Sequence, residues 1–301
     1  MHIGMIGLGR MGMNMARRIL EHGCEVAAFN RTPEKTEQLA ASGARACFSL
    51  EELVQALEQP RVVWMMLPAG EVVDRHLEAV LELTEPGDVV VDGGNTHYKD
   101  DRRRFDTAAE KGVHYVDAGT SGGIWGLKKG FCLMVGGTKE AFDHIEPILA
   151  ALAPQGGYLH CGPTGAGHFV KMVHNGIEYG MMQSYAEGFG ILEDSPYAEH
   201  LDYARLSQLW NQGSVIRSWL LELAEIAFAE SPRLNDIQGY VHDSGEGRWT
   251  VLQAVETASS APVLTLSLME RFRSRRENTF PDRVLAALRQ QFGGHAVKRS
   301  K

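Results

Sequence analysis

Through about residue 160 the chain alternates short apolar runs with amphipathic stretches, and no other feature restricts its fold as much. Runs at 2–6, 25–29, 61–67, 88–91, 113–116 and 131–135 are short and mostly apolar, and they read as strands. Stretches at 11–21, 33–41, 50–57, 71–83, 99–111 and 139–152 carry apolar residues at three- and four-residue spacing, and they read as helices. Two parallel strands need a long crossover between them, which a helix supplies. The alternation therefore predicts an α/β fold with a doubly wound, mostly parallel sheet.

After Gly162-Pro163 the strand signals nearly vanish. Helical periodicity takes over at 165–192, 201–210, 215–228, 250–258, 262–275 and 281–292. The change in period predicts two domains, 1–162 and an all-α C-terminal domain, 163–301, as the length of 301 residues also suggests. With 44% hydrophobic residues the chain can fill both cores.

Composition narrows the functional classes. No apolar stretch reaches the ~18 residues of a membrane span, and Met1-His2-Ile3-Gly4 opens a strand rather than a secretory leader, so a soluble, cytoplasmic protein is expected. Cys24, Cys47, Cys132 and Cys161 are far apart in sequence, without a C-x-x-C pair, and are expected as reduced, buried thiols. No residue cluster suggests a metal ion. The net charge of −8 argues against nucleic acid as a partner. The basic run Arg102-Arg103-Arg104 is flanked by Asp100, Asp101 and Asp106 and reads as a solvated helix face.

Gly7-Leu8-Gly9-Arg10-Met11-Gly12 lies between the first strand and the first helix. In that context the glycines do three jobs: Gly7 allows a tight turn, Gly9 lets the backbone approach a pyrophosphate, and Gly12 allows close helix packing. The domain is thus expected to be Rossmann-type and dinucleotide-binding. The second strand ends in Asn30-Arg31-Thr32 rather than in a carboxylate. A guanidinium with a neutral amide and a hydroxyl can hold a 2′-phosphate, which favours NADP, with NAD as the other candidate. Leu67, at the end of the third strand, and Asn95 are counted among the cofactor contacts.

Asp92-Gly93-Gly94-Asn95-Thr96 and Asp117 to Gly123 each follow a strand, where the carboxyl-end loops of such a sheet flank the ligand crevice. Their glycines permit close backbone approach, and Asn95 and Ser121 offer hydrogen bonds to hydroxyl or carboxylate oxygens. Farther on, Lys171, His174, Asn175 and Glu178 stand at offsets 0, 3, 4 and 7, on one helix face. Such a face suits proton transfer, provided burial or charge brings the lysine pKa down and the glutamate pKa up. The flanking Phe169, Val170, Met172, Val173 and Ile177 predict a largely buried helix.

Gly7 to Gly12, Ser121-Gly122-Gly123 and Gly165 to Asn175 resemble the β-hydroxyacid dehydrogenases. Within them, Gly93-Gly94-Asn95, Lys171 to Tyr179 and Gly247-Arg248-Trp249-Thr250 resemble the decarboxylating 6-phosphogluconate dehydrogenases, over most of the chain. The resemblance implies that Lys171 takes the proton of the carbon-3 hydroxyl as hydride leaves for the nicotinamide. The same lysine then polarises the ketone during loss of carbon dioxide, and Glu178 protonates carbon 1 of the enediol to give ribulose 5-phosphate.

By the same resemblance Asn95, Ser121, Gly122, Gly123, His174 and Asn175 bind the sugar acid, and Tyr179, Arg273, Arg289 and His295 serve its phosphate. In the family the tail arginine and histidine complete the neighbouring subunit's site, which implies a homodimer or homotetramer. Arg271 and Arg275 read as helix-surface charge. Longer members carry a second helical segment, as well as a lysine and a threonine where this chain has Gly245-Glu246-Gly247-Arg248. Arg248 is therefore expected to take over phosphate binding there, with Glu246 unfavourable beside an anion. The other functions to weigh are a β-hydroxyacid dehydrogenase acting on a small unphosphorylated acid without decarboxylation, and a nucleotide-binding regulatory protein.

Overall fold

The computed structural model describes residues 1–277 and 279–293. In chain order the first elements are β1 (His2–Ile6), α1 (Arg10–Glu21), β2 (Glu25–Phe29), α2 (Pro33–Ala40), β3 (Arg45–Cys47), α3 (Leu50–Gln55), β4 (Val62–Met65) and α4 (Glu71–Leu81). Then come β5 (Val89–Asp92), α5 (Tyr98–Glu110), β6 (His114–Ser121), α6 (Gly126–Lys129), β7 (Cys132–Gly136), α7 (Lys139–Leu152) and β8 (Tyr158–Gly162). The remaining helices are α8 (Ala166–Glu193), α9 (Tyr203–Trp210), α10 (Trp219–Glu230), α11 (Glu246–Glu256), α12 (Pro262–Arg273) and α13 (Phe280–Gly293). Two compact units result, Met1–His174 and Asn175–Lys301.

In the first unit one sheet of eight strands has the order β3-β2-β1-β4-β5-β6-β7-β8. Every neighbouring pair is parallel except β6 and β7, which are antiparallel. The sheet is thus doubly wound and mostly parallel, as the alternation predicts. Two strands escape the sequence pattern for physical reasons. Strand β3 has three residues, and β8 is an edge strand whose Leu159 is exposed, so neither shows a continuous apolar run.

Helices cover both faces, each over its own apolar layer. One layer packs Met15, Ile19, Trp64, Val91, Ile145 and Leu149, and the other packs Leu53, Val63, Met65, Leu77, Val90 and Tyr115. Each fully buried aliphatic side chain contributes roughly 1.5–3 kcal/mol.

Three local expectations need correction. The segment after Val116 is not a loop, because β6 continues through Ser121 and pairs Asp117 to Gly136 and Ser121 to Cys132. The basic run on α5 is only partly solvated: Arg104 is fully buried and ion-paired to Asp74 at 2.7 Å and Asp92 at 3.2 Å. Of the four thiols Cys47 is buried, whereas Cys132 is exposed and Cys24 and Cys161 are half-buried; none is disulfide-bonded.

The second unit contains only helices among its described elements. Phe189, Tyr203, Leu221 and Phe228 form its apolar centre. Helix α10 starts at Trp219 rather than near Val215, since the Ser218 hydroxyl caps it by accepting from the Leu221 N–H. Asp202 caps α9 in the same way, through the Arg205 N–H. Helix α8 is less enclosed than its apolar residues predict. Met172 is buried, but Val170 and Ile177 are 39% and 51% exposed. No described helix is long and apolar enough to cross a membrane.

Candidate active site

The turn from β1 into α1 has the geometry its glycines suggest. Gly7 has φ +93°, and a side chain there would overlap the Met66 carbonyl. A side chain at Gly12 would overlap the Gly7 carbonyl, so α1 approaches the strand closely. Gly9 is open: nothing lies within 4 Å of where a side chain would start. It caps α1 without a side-chain hydrogen bond, and the first turn holds no acidic residue. The positive end of the helix is therefore unblocked.

Leu8 is buried, Arg10 is exposed, and Met11 and Leu67 are half-buried. Arg31 and Thr32 are exposed beside this turn. Asn30 also has a structural task. Its Oδ1 accepts from the Leu8 N–H at 2.8 Å and its Nδ2 donates to the Thr32 carbonyl at 3.1 Å, so the amide ties the glycine turn to the end of β2.

The chemical groups of the first unit gather where α8 crosses β6. A side chain at Gly119 would overlap the Lys171 Cβ, and one at Gly167 would meet the backbone of Met134, Asp117 and Gly136. These glycines let the helix lie directly on the strands. Asp117, inside β6, anchors the helix start: Oδ1 accepts from the Gly165 N–H at 2.7 Å and Oδ2 from the His168 N–H at 2.9 Å. A carboxylate at a helix N-terminus also meets the favourable end of its dipole.

One turn later Lys171, buried at 8% exposure, donates from Nζ to Asn95 Oδ1 at 2.7 Å. Asn95 is held in a tight turn built by Asp92, which accepts from the Gly94 N–H at 3.0 Å and from Thr96 Oγ1 at 2.7 Å. The glycines of this turn answer to protein neighbours as well as to any ligand. A side chain at Gly93 would overlap the Trp64 indole nitrogen, and one at Gly94 would meet the Leu67 carbonyl. Ser121 and His174 are half-buried, and Gly122 and Gly123 take φ +126° and +53°.

Behind Lys171 lies a buried polar network that the residue pattern did not reveal. His168 Nδ1 lies 2.8 Å from Asp101 Oδ2, Tyr115 donates to Asp101 Oδ1 at 2.9 Å, and Arg104 reaches Asp92. Burial pushes the Asp101 carboxyl up to about 6, against the opposing pull of His168. Burial pulls His168 down, but the charge of Asp101, joined by Asp92 and Asp117, more than offsets it and holds the imidazole up at about 9. Burial and the adjacent carboxylates also raise the Tyr115 hydroxyl. Asp92, Asp101 and His168 come close enough to share an ion, yet their oxygens are already engaged by Arg104, Thr96, Tyr115 and His168. The cluster is therefore an ion-pair network. The only sequence hint was a histidine one turn before the lysine.

In the second unit Asn175 Nδ2 donates to Glu246 Oε1 at 2.8 Å, and Glu178 is half-buried. Residues 246–248 form the first turn of α11 instead of a loop, with Gly245 as cap at φ +102°. Glu246 is thus a buried carboxylate near a helix N-terminus, a favourable position. Tyr179 is buried, its hydroxyl accepts from the Ser244 N–H at 3.2 Å, and the Arg271 guanidinium stacks 3.4 Å from its ring centre.

Arg271 and Arg275 are therefore not idle surface charge. Arg275 donates to Asp243 at 2.7 Å, and Arg248 makes a two-pronged contact with the same carboxylate at 2.8 and 3.0 Å. These hydrogen bonds, led by Arg248, hold the Asp243 pKa well below the usual range. Arg273, in contrast, is 76% exposed and pairs with Glu270. The Arg289 side chain and His295 lie outside the described residues.

Comparison with known proteins agrees over the whole chain. The model for the NAD binding domain of 6-phosphogluconate dehydrogenase matches residues 2–162, and that for the 6-phosphogluconate dehydrogenase C-terminal domain matches 167–288. A Bacillus subtilis protein named "Putative 6-phosphogluconate dehydrogenase YqeC" is 45% identical over 299 residues, covering 99% of this chain and 100% of that one. The NAD(+)-dependent, decarboxylating 6-phosphogluconate dehydrogenase of Haloferax volcanii is 43% identical over 301 residues, covering 99% of each. Among solved structures, Plasmodium falciparum 6-phosphogluconate dehydrogenase, described in its apo form and with NADP+ and 6-phosphogluconate, superposes with a TM-score of 0.83 at 31% identity. That match covers 100% of this chain and 67% of the Plasmodium chain. With both domain models and full-length relatives in agreement, this chain belongs to the 6-phosphogluconate dehydrogenase family.

Proposed function

We propose that this protein oxidises and decarboxylates 6-phosphogluconate to ribulose 5-phosphate and carbon dioxide, passing hydride to NADP or NAD. The observation that carries this reading is the buried Lys171 amine, oriented by Asn95 on a helix fixed to the sheet. The open Gly9 and the acid-free start of α1, which no side chain caps, fit the pyrophosphate of a dinucleotide, and Arg31 and Thr32 would hold its ribose or 2′-phosphate. Residues 1–162 would form the dinucleotide-binding domain and 163–301 the substrate-binding and oligomerisation domain.

When bound, the nicotinamide takes the hydride from carbon 3 of the substrate. Lys171 accepts the hydroxyl proton as that hydride leaves, and its resulting ammonium then donates a hydrogen bond to the new ketone oxygen. The carbon–carbon bond to the carboxylate breaks, carbon dioxide departs, and the bond's electrons flow toward the ketone oxygen, which takes a proton from the Lys171 ammonium to give the enediol; Lys171 takes that proton back as carbon 1 is protonated. Glu178, seven residues farther along the continuous helix α8, delivers the proton to carbon 1. Asn95, Ser121, Gly122, Gly123, His174 and Asn175 hold the sugar acid.

Tyr179 and Arg248 would receive the phosphate together with Arg273, with Arg289 and His295 supplied by a second copy of the chain. Exposed Ile177, Met181, Met182 and Ile191 on α8 support association into a homodimer or homotetramer. A cytoplasmic location suits the substrate.

The test mixes protein, 6-phosphogluconate and either cofactor while recording absorbance of the reduced cofactor and released carbon dioxide. Both signals together are expected. Cofactor reduction without carbon dioxide would instead mark a β-hydroxyacid dehydrogenase, and neither signal would mark a regulatory binding protein.

A further inference from the structure

We infer that Asp101 and His168 are positioning residues that hold the first turn of α8 against the Asn95 turn, and so hold Lys171 in register with its partner. The inference rests on the reading of Lys171 given above. Two paths of contact converge on this lysine. One runs through the helix itself: Asp117 takes the Gly165 and His168 N–H groups, and Lys171 follows His168 by one turn. The other runs from His168 through Asp101 and Tyr115 to Asp92, whose carboxylate builds the turn that presents Asn95. The Lys171–Asn95 contact closes the ring.

The energetics favour placement over stability as the reason for this arrangement. His168 is 1% exposed and Asp101 is fully buried, and a desolvated ion pair commonly contributes no more than apolar side chains of the same volume would. His168 Nε2 is also buried without a hydrogen-bond partner among the described residues, an added cost. What the pair supplies is direction. An ion pair bonded at both Asp101 oxygens resists rotation and sliding of the helix, whereas apolar packing tolerates both. The charged groups facing it are Asp92, Arg104 and Asp117, with the neutral Tyr115 hydroxyl beside them, from β5, α5 and β6.

The test uses the full-length enzyme with saturating cofactor. Asp101→Asn is expected to lower kcat about 10-fold or more, as displacement of a reacting group does, while KM for 6-phosphogluconate and cofactor affinity change less than about 2-fold. The double variant Asp101→Asn, His168→Asn restores a complementary amide pair and should recover much of kcat. If Asp101→Asn does not fold, Tyr115→Phe removes a single hydrogen bond to Asp101 and should lower kcat in the same selective way. An unchanged kcat in a folded variant would overturn the inference, as would equal losses in kcat, substrate affinity and cofactor affinity. Amide hydrogen exchange over 163–172 separates this question from the activity itself. It should quicken in Asp101→Asn even if the wild-type enzyme proves inactive on 6-phosphogluconate, and unchanged exchange would also overturn the inference.

Discussion

Lys171 Nζ lies 2.7 Å from Asn95 Oδ1, which joins the long helix α8 to the turn after β5. The contact spans 76 residues of sequence and depends on Gly119, whose missing side chain leaves space for the lysine stem. The amide oxygen accepts a hydrogen bond from the buried amine and so fixes its direction.

Lys171→Met keeps the volume of the stem and removes the amine. Hydride transfer should fall by about 100-fold or more, the usual contribution of general acid–base catalysis. Cofactor affinity, measured by fluorescence titration, should stay within about 2-fold. Loss of cofactor binding in parallel would count against a purely chemical role.

Glu178→Gln should leave cofactor reduction nearly intact in the first turnover but slow formation of the ketopentose. Rapid mixing that follows reduced cofactor and product separately would show the two rates diverging. Equal, mild losses at Lys171 and Glu178 would contradict the assigned roles.

Gly119→Ala puts a methyl group against the Lys171 Cβ, with the Gly167 carbonyl oxygen close by. Overpacking of this kind should destabilise the first unit by about 1–3 kcal/mol. Because the clash falls on the side chain of the proposed base, kcat should fall even at temperatures where calorimetry shows a fully folded protein.

Arg31→Asp exchanges an exposed cation beside the glycine turn for an anion. The ratio of NADP to NAD efficiency should drop by about 10- to 100-fold, the scale of a lost charge-assisted hydrogen bond. Parallel kcat/KM measurements with both cofactors decide it, and an unchanged ratio would make Arg31 a bystander.

The buried pair predicts weakened stability in alkali. His168 is raised from 6.5 to about 9 by Asp101, so its contribution is complete below 6.5 and is lost as pH climbs through about 9. Asp101 is raised from 3.8 to about 6, chiefly by burial, so ionising it in the folded state also costs stability as pH rises from about 4 to 6. Both effects have the same sign. Denaturant unfolding at pH 6.5 and 9.5 should differ by no more than about 3 kcal/mol from this source, and His168→Asn should flatten the alkaline part of the curve.

Strand and helix periods alone were enough to separate an α/β region from a helical one, because burial imposes a period of two or 3.6 on any segment with one apolar face. The glycine turn after β1 was likewise legible, since Gly7 and Gly12 meet steric demands that only glycine satisfies. That Lys171 and Glu178 lie on one continuous helix was legible because their spacing is a local property. Nothing local foretold the antiparallel joint of β6 and β7, which turned an apparent loop at Asp117 into strand. Nor could spacing show that Arg104 belongs to the interior, or that Arg271 stacks on Tyr179 while Arg273 faces solvent.

The same holds for Asp101 and His168, which meet across 67 residues. Their pairing arises only when α5, β6 and α8 pack together and exclude water. Residue order carries the periodicities and the reactive groups, but desolvation and charge pairing exist only between surfaces that folding has brought into contact.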